Sequence, residues 1–259
     1  MNYVLGGNGF IGRNVVKTFG ALPIQHDLLD DPTGKLDQLK PGDIIFHAAH
    51  AGSVDDCAKN PSQTRSVNVD GSIRFLAEAR KQNAIPLYFS TNTVFDGGKP
   101  YYKETDLPNP NTEYGRQKRE VEEVIMANFP KYYIIRMTKV YGPGSGSFME
   151  SWMDALLEGK EIQAAHDMYA APVYIDDVMK VIADLLAANS MGIHHVSGPV
   201  ERSMEEIAKL VIAHTQADPN LLKTISIADL NLIEKRPLHN SLACDTVRDI
   251  PEILQHFYH

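Results

Sequence analysis

Two side chains four residues apart, Tyr114 and Lys118 in the run Tyr114-Gly115-Arg116-Gln117-Lys118, are of the types that move a proton. On a helix, positions i and i+4 share a face. An ammonium beside a phenol favours the phenolate and lowers the tyrosine pKa. The phenol then becomes a usable proton donor or acceptor near neutral pH. A second polar group ends an apolar run: Pro86-Leu-Tyr-Phe leads into Ser90 and Thr91, then into Asn92-Thr-Val-Phe-Asp-Gly97. Ligands of open α/β sheets bind beyond the carboxyl ends of strands. A hydroxyl at that end can donate to a substrate oxygen and set its angle to the tyrosine. The competing readings are an amphipathic helix surface for the Tyr–Lys pair and an ordinary hydroxyl-capped turn for the strand end.

These groups need a frame, and the N-terminal stretch Val4 to Gly12, VLGGNGFIG, supplies its first piece. An apolar run breaks into Gly6, Gly7, Gly9 and Gly12, and the chain continues as a helix. A strand, a tight turn and a helix start in this order bring backbone N–H groups and the positive helix end to a pyrophosphate. Gly6 permits the turn, Gly9 allows close approach of phosphate, and Gly12 lets helix and strand pack closely. Strands are predicted at Tyr3–Leu5, Ile24–His26, Ile44–Ala48, Pro86–Ser90 and Tyr132–Arg136. Helices are predicted at Ile11–Phe19, Pro61–Gln82, Thr112–Asn128, Ser147–Glu158, Ile175–Ala188 and Met204–His214. This alternation predicts an α/β fold, a Rossmann-like doubly wound parallel sheet. After Gly142 the rhythm is lost. The division that follows is a dinucleotide-binding domain of residues 1–141 and 173–190, with a small discontinuous C-terminal substrate lobe of residues 142–172 and 191–259.

The chain of 259 residues carries a formal net charge of −8, with 43% hydrophobic and 22% charged residues. That balance is globular and argues against a general nucleic-acid binder. Two distant cysteines, Cys57 and Cys244, give neither a disulfide framework nor metal-like spacing. With no signal-like start and no apolar run of membrane length, the expected location is the cytoplasm, with no membrane partner. The histidines do not read as a metal site. His47 and His50 flank Ala48-Ala49 at a strand end, and the side chains of His194-His195 point to opposite faces of an extended segment. Asp176-Asp177 reads as the acidic start of a helix. Asp27, after the second strand, suits a ribose diol, while Arg13 and His26 suit a 2′-phosphate. Both NADP and NAD stay open on these residues, with NADP slightly favoured.

Taken together, these segments resemble the extended short-chain dehydrogenase/reductase family over nearly the whole chain. The glycine pattern, Ser90-Thr91 and Tyr114-x-x-x-Lys118 stand in the family's order, as do His47-Ala48-Ala49, Val67-Asn68-Val69-Asp70-Gly71 and Arg136-Met-Thr-Lys-Val-Tyr-Gly-Pro143. Within the family, STNTVFDG is similar to the S-T-D-Y-V-F-x-G of the dTDP-4-dehydrorhamnose reductase group. Arg236-Pro-Leu-His-Asn-Ser-Leu242 is loosely similar to that group's R-P-x-N-S-x-L. The resemblance implies Tyr114 as general acid, Lys118 as its partner and Thr91 as the catalytic hydroxyl. It implies cofactor contacts from Gly6, Gly9, Phe10, Ile11 and Gly12 at the pyrophosphate and from Asp27 and Leu28 at the adenosine end. Ala48 and Ala49 would line the groove, with Ser90 and Asn68 close by; Asn68 has a bracing role as its alternative. Lys139 and Arg236 are the cations expected to meet a substrate diphosphate.

The implied activity is NAD(P)H-dependent reduction of a keto group, most simply at C4, on a nucleotide-linked deoxy-sugar. Asn92-Thr93 stands where nucleotide-sugar dehydratases carry Asp-Glu, which argues against elimination. Lys139 and Ser147-Phe148 depart from the group's pattern near the substrate. The alternatives are an epimerase using the same residues and a non-catalytic dinucleotide-binding regulatory subunit. A homodimer through the helices near 61–82 and 112–128 is expected by analogy.

Overall fold

A computed structural model describes residues 1–244 and 246–257. Residues 245, 258 and 259 of the expected lobe lie outside the described residues. The chain opens as β1 (Asn2–Leu5), α1 (Phe10–Phe19), β2 (Leu22–Ile24) and β3 (Ile44–His47). Short helices α2 (Val54–Lys59) and α3 (Pro61–Arg65) follow, then a π turn at Ser66–Gly71 and α4 (Ser72–Lys81). β4 (Ile85–Thr91), α5 (Glu113–Asn128) and β5 (Tyr133–Met137) complete the first half. The second half comprises β6 (Val140–Tyr141), α6 (Phe148–Leu157), β7 (Ile162–Ala165), β8 (Tyr169–Ala170), β9 (Val173–Tyr174) and α7 (Ile175–Ala187). It ends with β10 (Gly192–Val196), β11 (Arg202–Ser203), α8 (Met204–Thr215), β12 (Leu222–Ile225) and α9 (Ile250–Phe257).

Six parallel strands form the main sheet in the order β10-β5-β4-β3-β1-β2. Sheets of this type are covered on both faces, so central strands are apolar throughout. β4 obeys this, with all residues after Ile85 buried. On one face Val4, Phe46, Leu87 and Ile135 pack with Val15 of α1 and Val178 and Ile182 of α7. On the other, Ile45 packs with Phe75 and Ala79 of α4, and Tyr88 and Ile134 pack with Val121 and Ile125 of α5. A separate core joins α6, α8 and α9 through Met149, Met153, Ile207, Val211 and Ile253. No helix among the described residues is long and apolar enough to cross a membrane.

The chain runs from β1 through α1 to β2 on one side, then crosses to β3 on the other side of β1. The crevice at such a reversal of strand order is where doubly wound sheets take ligands. Several elements depart from the expected boundaries. Gly192–Val196 was expected in the C-terminal lobe but pairs in register with β5 as the edge of the main sheet. Its Gly192-Ile-His-His-Val196 carries little of the apolar run that marks a strand buried on both faces. The helix expected over Pro61–Gln82 is helical throughout but widens into the π turn that carries Asn68. α2 was not expected, although its capping box of Ser53 and Asp56 is a readable start signal. β2 ends at Ile24, two residues before the expected His26, leaving Asp27 beyond the strand.

Candidate active site

The glycine turn after β1 is built by exclusion of Cβ atoms. Gly6 has φ +84°, and a Cβ there would lie 2.7 Å from the backbone nitrogen of Ala49. A Cβ on Gly12 would come 2.1 Å from the Gly6 carbonyl oxygen. Gly6 thus admits the loop after β3, and Gly12 seats the first turn of α1 on the glycine loop. Gly9 is the N-cap of α1 and offers no side chain to the free N–H groups of that turn. Gly6, Gly9, Phe10 and Ile11 line one wall of a cleft, facing Ala48 and Ala49. A backbone cradle of this kind, at a helix N-terminus, fits the pyrophosphate of a dinucleotide. Gly12 is buried behind the wall, so its part is packing rather than direct contact.

Ser90, Tyr114 and Lys118 form the far wall of the same cleft. α5 starts with Thr112 accepting from the Gly115 N–H. A Cβ at Gly115 would sit 2.1 Å from the Thr93 carbonyl oxygen, so this glycine lets the helix rest on the turn after β4. Lys118 is buried; its Nζ donates to the Phe89 carbonyl at 3.0 Å and lies 5.8 Å from the centre of the Tyr114 ring. The depressed phenol pKa expected from this lysine is not found. Burial raises the Tyr114 phenol above its ordinary value, with Cys57 adding in the same direction. Burial also pulls Lys118 down to about 8. Desolvation penalises the charged form of both groups and is the largest cause of each shift.

The other expected residues divide. Thr91, the last residue of β4, is buried, and its Oγ1 accepts from the Thr93 N–H at 3.1 Å. That bond closes the turn after the strand, and the hydroxyl itself lies 3.4 Å from Asn92 Oδ1 and 3.1 Å from Thr93 Oγ1. Asp27 is exposed outside the cleft walls, its Oδ1 accepting from the Leu29 N–H at 2.9 Å. The Leu28 side chain is buried in the core under α4, and its carbonyl accepts from Arg74 at 2.9 Å. Leu28 therefore packs rather than lines the cleft. Asn68 accepts from the Ala51 N–H at 2.7 Å and donates to the Ala51 carbonyl at 3.0 Å and to Gln117 at 2.9 Å. It clamps the loop after β3 to α5, which is the bracing role. Arg13 donates to the carbonyls of Asn8 and Gly144 at the rim.

Lys139 and Arg236 share one region. Lys139 is drawn below its ordinary value, first by partial loss of hydration and then by the charge of Arg236. Its Nζ lies 5.1 Å from the Phe148 ring centre. Arg236 Nη2 is 2.6 Å from Asp55 Oδ1, and its buried Nη1 has no hydrogen-bond partner among the described residues. The segment that carries Arg236 is tied to the turn after β4 through Asn240, whose Oδ1 accepts from Asn92 Nδ2 at 3.0 Å. Gly97 makes room for Pro237, since a Cβ there would lie 2.5 Å from the proline Cβ.

Three cleft residues were not singled out as contacts from the sequence: His50, Phe89 and Met137. The His50 ring meets the Tyr114 ring edge-on at 6.1 Å. Its neighbours Ala48-Ala49 were the available signal. Met137 stands opposite Thr91 in register, a relation that strand pairing reveals and a single strand does not.

The chain matches the RmlD substrate binding domain family over residues 2–257. Relatives named dTDP-4-dehydrorhamnose reductase include that of Aggregatibacter actinomycetemcomitans, 29% identical over 98% of this chain and 92% of its own. That of Sinorhizobium fredii is 32% identical over 78% of this chain and 72% of its own. The methionine adenosyltransferase 2 subunit beta of Bos taurus is 26% identical over 80% of this chain and 64% of its own. The fold is that of the dTDP-4-dehydrorhamnose reductase of Bacillus anthracis, solved in complex with NADP. The TM-score is 0.90 at 23% identity, over 99% of both chains. A match that runs through both the glycine turn and the Arg236 segment covers the sheet and its lobe alike, and the chain belongs to the RmlD substrate binding domain family.

Proposed function

We propose that this chain catalyses NADPH-dependent reduction of a keto group, at C4, on a nucleotide-linked 6-deoxy-sugar. The observation that carries this reading is the single cleft in which the glycine turn of β1 faces Tyr114 and Lys118 of α5 across the ends of β3 and β4. The B. anthracis structure with NADP supports the choice of dinucleotide. A nicotinamide dinucleotide, when bound, supplies the hydride. Tyr114 delivers a proton to the oxygen that becomes the alcohol, and its raised pKa keeps that proton in place until the oxygen develops charge. Thr91 turns its hydroxyl from the long 3.4 Å contact with Asn92 Oδ1 to donate to the same oxygen. Lys118, fixed on the Phe89 carbonyl, has two further N–H groups with which to orient the ribose and steady the phenolate. Lys139 and Arg236 meet the substrate diphosphate, supported by their mutual field and by an Arg236 Nη1 without a hydrogen-bond partner among the described residues.

NADPH consumption by the wild-type protein with a panel of nucleotide 4-keto-6-deoxy-sugars tests the reading; no consumption with any of them would count against it. The B. taurus relative, by its name a subunit of another enzyme, supports a second reading as a non-catalytic dinucleotide-binding partner. Tyr114, Lys118 and Thr91 together favour the enzyme, because a regulator has no chemical need of all three. A copurifying protein with no turnover would favour the subunit. Self-association through α4 and α5 is part of the proposal. The groove between them is lined by Ile73, Leu76, Ala77 and Phe129. Sedimentation velocity at micromolar concentration should give a dimer, and a monomer would remove this part.

A further inference from the structure

A buried polar network lies one helical turn beyond Lys118, outside the catalytic set. Glu122 is completely buried and Arg136 is 1% exposed. Glu122 Oε1 accepts from Ser90 Oγ at 2.5 Å and from Arg136 Nε at 2.9 Å. Its Oε2 accepts from Arg136 Nη2 at 2.7 Å and from Arg119 Nη1 at 3.1 Å. Ser90 and Arg136 stand opposite each other in the β4–β5 register. Lys118, four residues before Glu122, holds the carbonyl of Phe89, the residue before Ser90. Successive turns of α5 are therefore bonded to successive residues of β4, and the second turn also to β5.

A buried ion pair seldom adds net stability over apolar side chains of the same size, because both charges are stripped of water. What this one does provide is direction: three hydrogen bonds from Ser90 and Arg136 fix the carboxylate at the end of the two strands that floor the cleft. We propose that Glu122, anchored by Arg136, is a positioning residue for the Tyr114–Lys118 pair: it fixes α5 against the ends of β4 and β5 and supplies the negative charge that keeps Lys118 an ammonium in a dry site. The proposal rests on the reading of this cleft as a reductase site.

The charges around Lys118 agree. Burial disfavours its ammonium, and Glu122 is the foremost group acting the other way, ahead of Cys57 of α2. The remaining titratable groups facing it are Tyr114 of α5, Tyr88 of β4, and His47 and His50 at the end of β3. Burial holds His47 down to about 3, and lost hydration with the charge of Lys118 lowers the more exposed His50, so neither carries a charge that competes near neutral pH. Both phenols are raised by burial and are likewise neutral there.

Lys118 can be titrated without any turnover, by competitive acetylation of the full chain across pH with mass spectrometry of its peptide. The wild-type midpoint should fall near 8. Glu122→Gln should lower it by about one unit, the usual effect of withdrawing a nearby opposite charge. Ser90→Ala, which leaves the charge in place, should not lower it. A Glu122→Gln midpoint equal to wild type overturns the proposal, since a purely architectural carboxylate would cost stability without moving the lysine. Should Glu122→Gln fail to fold, Arg119→Met decides instead. Arg119 is partly exposed and withdraws a cation from the same carboxylate when replaced. An upward shift then supports the proposal, and no shift or a downward one overturns it. Failure of the reductase reading would register separately, as absence of NADPH consumption by wild type beside the titration shifts described.

Discussion

At Tyr114 and Lys118, loss of hydration acts on an acid and a base in opposite directions, raising one and lowering the other. In the proposed reduction the phenol is therefore a secure proton donor. Tyr114→Phe should lower kcat by about two to four orders of magnitude, the typical worth of a positioned general acid, while NADPH affinity measured by fluorescence stays near wild type. Retained turnover would remove Tyr114 from that role. In the proposed function Lys139 and Arg236 belong to binding rather than chemistry, because a diphosphate remote from the keto group is held alike in ground and transition states. Replacing either by Ala should raise KM more than it lowers kcat. Arg236, more enclosed, should approach the ~1.5–3 kcal/mol of a charged hydrogen bond, and exposed Lys139 should cost less. Unchanged steady-state kinetics in both variants would show that the diphosphate is held elsewhere.

Elements bring these residues together through close backbone approaches, and Gly115 is the most exacting. Its Cβ position lies 2.1 Å from the Thr93 carbonyl oxygen, with Thr112 Oγ1 at 3.0 Å. Neither can retreat without moving the turn after β4 or the cap of α5. Gly115→Ala should destabilise the fold by at least the ~1–3 kcal/mol of an overpacked site, read as a lowered urea midpoint. It should also reduce turnover through a displaced Tyr114. A midpoint equal to wild type would mean that the helix is free to shift. Much of this frame was readable in the sequence. VLGGNGFIG gave both the turn and the start of α1, and the continuous apolar run before Ser90 gave β4. What was not readable depends on pairing across distance. β10 has a polar, half-buried sequence and is a strand because β5 offers it an edge. Asp27 was expected at the adenosine end from its spacing, yet β2 ends early and the carboxylate turns back on the Leu29 N–H. The sign of the Tyr114 shift depends on burial, which the Tyr-x-x-x-Lys spacing does not encode.

Across the whole molecule, buried histidines tie stability to pH. Burial depresses His47 to about 3 and His195 to about 4 from an ordinary 6.5. The unfolded chain protonates these groups at the ordinary value, whereas the folded chain does so only well below it. Their contribution is therefore complete above pH 6.5 and declines as pH falls toward the folded values. Each should cost roughly 1.4 kcal/mol per pH unit across that window. Urea midpoints measured between pH 7 and pH 5 should decline accordingly. His47→Phe, placed between Phe75 and Tyr88, should flatten part of that slope. A pH-independent wild-type midpoint would show that neither imidazole is kept neutral. In the proposed function the cleft at the β1/β3 crossover is where hydride reaches a sugar carbonyl. The most direct measurement of that transfer supplies NADPH deuterated at the transferable position together with a nucleotide 4-keto-6-deoxy-sugar, and locates the label in the product by NMR. One deuterium at C4, with the reductant consumed in equal amount, is the expected result. An unlabelled sugar, or an epimerised one formed without consumption of NADPH, would contradict it.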